Sequence, residues 1–108
     1  MENDYERCHK ILISGTEAFN SGNFDLAYDT LEPLVHYVTS YKAREVLSDS
    51  QLQNLRNELK KVLARFTFCP NEALWEESTQ LYDLLRLADD HDSVHSLRPN
   101  IMRVFRQT

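Results

Sequence analysis

The chain has 108 residues, 42% of them hydrophobic, with only two glycines and three prolines, a balance that fits one all-α domain spanning 1–108 rather than a many-stranded fold. Its formal charge of −5 comes without a basic stripe interleaved with aromatics, so no direct nucleic-acid binding is expected. No stretch approaches the roughly 20 apolar residues of a membrane span, and the charged opening MENDYERCHKI does not read as a signal peptide, so a cytoplasmic chain with no membrane contact is expected.

The first helix is predicted from Asn3 or Asp4 to Ser21, with Tyr5, Cys8, Leu12, Ala18 and Phe19 as its inward stripe. Gly15 interrupts that stripe. A mid-helix glycine costs about 1 kcal/mol relative to alanine, so its presence here predicts a close crossing with a neighbouring helix. Gly22 stands where a helix C-terminus takes positive φ, and Asn23 follows as the N-cap of a second helix. That helix carries Leu26, Ala27, Leu31, Leu34, Val35 and Val38, and Pro33 is expected to bend or interrupt it. Ser48 to Gln51 has the form of a capping box, after which Leu52, Leu55, Leu59, Val62, Leu63 and Phe66 give the clearest amphipathic helix, with Arg56, Glu58, Lys60 and Lys61 placed outside. Thr67 to Pro70 end it, and Asn71 caps a helix whose stripe is Leu74, Trp75, Ser78, Leu81, Tyr82, Leu85 and Ala88. The polar run Asp89 to Ser93 is read as its close. A last short helix over 97–106 would present Ile101, Met102 and Phe105 to the core, with Pro99 in its first turn. Four or five helices built on an antiparallel hairpin are the expected architecture.

Gly15, Phe19, Gly22, Asn23, Phe24, Asp25, Ala27 and Leu31, in this order and spacing, resemble the helix-turn-helix core of a tetratricopeptide repeat over about a fifth of the chain. No second copy follows at the family period of about 34 residues, and Pro33 arrives earlier than the proline that usually closes such a repeat, so a long superhelical peptide groove is not expected. A second resemblance runs from Ser21 to Leu34 and on through Leu47, Ser48 and the helix after them. It is to small all-helical bacterial immunity proteins, the MafI-like group, in which a Gly-acid-aromatic-x-x-Ala turn leads into an amphipathic helix. Asn23 stands here in place of the acid, and nothing beyond Phe66 matches. The resemblance implies a non-catalytic protein that occludes a cognate toxin, and it transfers no binding residue.

Candidate chemistry is sparse. Arg86 and His91 have a spacing that resembles the arginine-histidine motif of the helical HEPN ribonucleases, but Leu87 stands where that family has a polar residue, and Asp89 and Asp90 would repel an RNA phosphate. His91 and His95 lie four apart among acids. The segment around Ser93 reads as a turn, and two histidines are too few for structural zinc, so no metal and no cofactor are expected. His9 and His36 stand singly. Cys8 and Cys69 lack the flanking pattern of activated thiols and read as structural, unpaired residues. With no triad and no phosphate-binding glycine loop, no catalytic residue is assigned and the chain is read as a non-enzyme.

Charge is unevenly distributed: residues 1–41 carry seven acids and two bases, and residues 72–92 carry seven acids and one base. The sequence reading therefore places a protein-partner surface on Glu72, Glu76, Glu77, Asp83, Asp89, Asp90 and Asp92, facing a basic partner such as a toxin domain. An alternative reading is a small helical adaptor or oligomerisation module, binding a peptide or a second copy through Tyr28, Tyr37 and Tyr41.

Overall fold

The computed structural model describes the backbone of residues 2–107 and the side chains of residues 2–93. It is all-α, with α1 (Asp4–Asn20), α2 (Phe24–Val38), α3 (Tyr41–Val46), α4 (Asp49–Arg65), one 3₁₀ turn (Phe66–Phe68) and α5 (Glu72–Gln107). The helices share a core in which Leu31, Val35, Val38, Leu55, Leu59, Phe66 and Leu85 are fully enclosed.

Side-chain chemistry sets most of the helix starts. Asn3, Asn23, Ser40 and Ser48 each accept a hydrogen bond from a backbone N–H in the following first turn, filling positions that no helical carbonyl reaches. At Ser48 the exchange is mutual: the Gln51 N–H donates to Ser48 Oγ at 3.1 Å, and the Ser48 N–H donates to Gln51 Oε1 at 3.0 Å. Gly22, at φ 84°, provides the left-handed step between α1 and α2.

The α1/α2 hairpin closes as its small residues require. A Cβ on Gly15 would stand 2.5 Å from Leu31 Cδ2 and 2.6 Å from Cγ, so only glycine lets α2 approach this near. Ala27 and Leu31 are fully buried against this crossing. Phe19 then joins the hairpin to the second layer, its ring 5.0 Å from Phe24 and 4.8 Å from Phe66, with the Arg65 guanidinium 4.7 Å above it.

Six features differ from the sequence reading, one of them Trp75, expected in the inward stripe of α5 but 39% exposed, its indole N–H donating to the Cys69 carbonyl at 2.6 Å. Pro33 neither ends nor splits α2, which continues to Val38. Leu26 is exposed rather than inward, because it lies on the first turn of α2, outside the hairpin contact. The short α3 was not expected; Ser40 is its only strong signal. Arg56 is buried on α4 rather than outside. Finally, Asp89 to Ser93 do not close a helix, because α5 runs unbroken through them. The separate helix expected over 97–106 falls within α5, and the placement of Ile101, Met102, Phe105 and His95 lies outside the described side chains.

Candidate partner interface

The seven acids proposed for a partner surface all lie on α5, but a helix of 3.6 residues per turn distributes them over three faces. Glu72, Glu76, Asp83 and Asp90, separated by four, seven and seven residues, form a single line along the outer side. Among the described residues, only Asp83 of these four has a cation beside it: Arg86 Nη2, at 3.5 Å, in an exposed pair within the helix. Leu87 lies between Asp83 and Asp90 on that line and is 60% exposed, and Leu84 flanks it. Glu77 sits on the flank facing α2. Its charge there helps hold up the Tyr28 hydroxyl, which burial and the hydrogen bond to Glu32 push up to about 12.

Asp89 and Asp92 face inward and form the third group. Their partner is Arg56, the largest fully buried side chain, only 1% exposed. Arg56 Nε donates to the Val38 carbonyl at 2.9 Å, satisfying one of the acceptors left over at the C-terminus of α2. Its Nη1 donates to Asp92 Oδ2 at 2.7 Å and lies 3.4 Å from Asp89 Oδ1. The outer oxygens are taken as well, with Lys60 Nζ donating to Asp89 Oδ2 at 2.6 Å and Arg44 Nε to Asp92 Oδ1 at 2.8 Å. Burial tends to raise the Asp92 carboxyl, but hydrogen bonds from Arg56, His91 and Arg44 outweigh it and hold the group below its ordinary value. This cluster ties the end of α2, α3 and α4 to α5. Each oxygen of the two inner carboxylates has a cation beside it within the cluster.

A cleft of about 280 Å³ opens beside the cluster, lined by Asp49, Leu52, Gln53, Arg56, Asp89, Asp92 and Ser93. Arg56 Nη2 is enclosed without a hydrogen-bond partner among the described residues. Of the three carboxylates lining the cleft, Asp89 and Asp92 are paired with Arg56, Lys60 and Arg44, and Asp49 has no ion pair among the described residues.

The three tyrosines do not form one surface. Tyr28 and Tyr37 are nine residues apart on α2 and therefore on opposite sides: Tyr28 meets the Phe66 ring, and Tyr37 faces the α1 side near Asp4 and Cys8. Tyr41 is exposed, with the Arg44 guanidinium 5.0 Å from its ring. Arg86 and His91, five apart on an unbroken helix, also point to different sides, one toward Asp83 and the other toward Asp92, so they do not converge on a common substrate. Among the described residues no group of three or more potential metal ligands comes together. Cys8 and Cys69 are both buried and unpaired, and burial, reinforced by Asp4, pushes the Cys8 thiol up. None of the described helices is long and apolar enough to cross a membrane.

The sequence reading missed Arg56 and Asp92 as inward residues, and the spacing of the leucines is the signal that could have found them. Leu52, Arg56, Leu59 and Leu63 follow one another at four, three and four residues, as do Leu81, Leu85, Ala88 and Asp92, so each charged residue occupies a core position of its own helix. No protein-family model, curated protein or solved structure matches this chain.

Proposed function

We propose that this chain is a non-catalytic binding protein of the bacterial immunity type, which neutralises a basic toxin domain by covering it. The observation that carries this reading is the outer line Glu72, Glu76, Asp83 and Asp90 on α5, four carboxylates with one neighbouring cation, Arg86, among the described residues. Among the described residues none of these four charges pairs with another helix, unlike Asp89 and Asp92. Opposite charge would speed encounter with a cationic cleft, and Leu87, flanked by Leu84, offers an apolar anchor beside the acids. The MafI-like resemblance of the segment from Ser21 onward supports the same class of protein. The adaptor reading retains only the exposed Tyr41, since Tyr28 and Tyr37 lie on opposite sides of α2.

The test is a pull-down of tagged protein from its native cells, washed at low and high salt, with bound proteins identified by mass spectrometry and compared with a Glu72→Lys/Glu76→Lys/Asp90→Lys variant. A single partner, encoded beside this gene, lost at high salt and lost in the variant, is the expected result. Equal capture by the variant would remove the outer acidic line as the contact surface. Recovery of only the chain itself would overturn the immunity reading in favour of self-association.

A further inference from the structure

Two different faces of α5 are apolar along its length. The inner stripe Leu81, Leu85 and Ala88 is buried against the body of the protein, while Leu84 and Leu87, on the outer side, are 38% and 60% exposed. Beyond Ser93 the sequence changes which of the two phases is apolar. Continuing the inner stripe past Asp92 by steps of three and four residues meets Ser96, Pro99 and Arg103, whereas continuing the outer one from Leu87 meets Val94, Ile101 and Phe105. α4 begins at Asp49, which lines the cleft together with Ser93, and α5 runs on from there over 94–107, about 21 Å at 1.5 Å per residue. The outer stripe therefore has the spacing of a coiled-coil seam at positions 84, 87, 91, 94, 98, 101 and 105, interrupted only by His91 and Arg98.

Charge decides what covers this stripe. Residues 72–92 carry seven acids and one base, whereas residues 94–107 carry Arg98, Arg103 and Arg106 and no acid. A partner of one sign would match only one half of the stripe. A second copy lying antiparallel matches both, because the net-negative half of each helix then runs beside the net-positive half of the other, while a parallel pair would set acid against acid.

We infer that α5 pairs with α5 of a second copy, antiparallel and crossing near position 94, through the outer stripe that includes Leu84 and Leu87. The pairing shares Asp83, Asp90 and Leu87 with the surface proposed for a toxin, so the two complexes exclude each other on that face. It does not rest on the immunity reading, since it is tested on the purified chain with no toxin present.

Sedimentation equilibrium of the full-length protein at low and high salt measures the association. A dimer is expected, and Leu87→Glu should weaken it at least about tenfold, the scale of losing one buried leucine from each copy. Because Leu87 is exposed in the single chain, the far-UV circular dichroism and urea midpoint of that variant should match the native protein, which separates lost pairing from lost fold. Asp83→Lys/Asp90→Lys should weaken the dimer more at low salt than at high salt. Orientation is read with a short bismaleimide on Val94→Cys and, separately, on Leu84→Cys, the joined residues being assigned by mass spectrometry. Position 94 is expected to link to its own copy, whereas the two copies of position 84 lie about 30 Å apart along the axis and do not link. A dissociation constant weaker than about 1 mM, a dimer that Leu87→Glu leaves intact, or self-linking at position 84 would each overturn the proposal.

Discussion

The α1/α2 hairpin and the α4/α5 junction are both closely packed, but different forces determine their geometry. In the hairpin, shape decides: Gly15 leaves the space that Leu31 fills, and Gly22 makes the turn. At the junction, charge decides: Arg56, buried among leucines, selects the position of α5 that brings Asp89 and Asp92 to it. An apolar contact of this kind tolerates small slips along a helix axis, whereas a guanidinium pointing at two carboxylates and one carbonyl does not. The comparison suggests that the hairpin contributes mainly stability and the ion-pair cluster mainly register, and each claim can be broken separately.

The largest effect is expected at the junction. Arg56→Ala leaves Asp89, Asp92 and the Val38 carbonyl without their buried partner and should cost about 3–5 kcal/mol, read from urea unfolding midpoints. Removing all three charges together, in Arg56→Met/Asp89→Asn/Asp92→Asn, should recover much of that loss. If the triple variant is as unstable as Arg56→Ala, the cost lies in lost packing around Arg56 and not in stranded charge.

A smaller effect is expected in the hairpin. Gly15→Ala gains about 1 kcal/mol of helix propensity, but its Cβ collides with Leu31 and overpacking costs about 1–3 kcal/mol, so a net loss of up to about 2 kcal/mol follows. Combined with Leu31→Ala, the alanine at position 15 should become neutral or stabilising. A double-mutant cycle with no coupling between the two positions would show that Gly15 is not there for the crossing.

The same contrast explains what could be read from the sequence. Shape-determined features are local: a glycine in a helical stripe, a glycine followed by asparagine, and a serine three residues before glutamine each announce themselves within one or two turns, and the hairpin and the start of α4 followed from them. The charge-determined features are reciprocal. Arg56 looks like a surface residue until Asp92, 36 residues away, is found at the matching position of another helix. For the same reason the seven acids of α5 read as one surface: composition counts carboxylates, while only the helix phase and the location of Arg44, Arg56 and Lys60 separate those turned inward from the four on the outer line. The polar run Asp89 to Ser93 reads as a loop for a related reason, since its helical spacing is filled by aspartates whose partners lie on other helices.

The finest discrimination between the two regions comes from pH, because among the described residues the hairpin's core contact contains no titrating pair while the junction depends on one. Asp92 is held below its ordinary carboxyl value near 3.8, so its folded form binds a proton less readily than the unfolded chain does. Its contribution is therefore fully present above that ordinary value and is lost as pH falls through the lower folded value. The effect is expected to be the smallest of the three, since the Asp92 side chain remains 30% exposed. Asp92→Asn should be less stable than the native chain from pH 7 down to about 5, the two curves should approach each other below about pH 4, and Gly15→Ala should keep a constant offset throughout. Urea midpoints at pH 7, 5, 4 and 3 for all three proteins measure this. Curves for Asp92→Asn that stay parallel to the native chain down to pH 3 would mean that Asp92 contributes through its shape, and the distinction between a shape-set hairpin and a charge-set junction would fail at its most specific point.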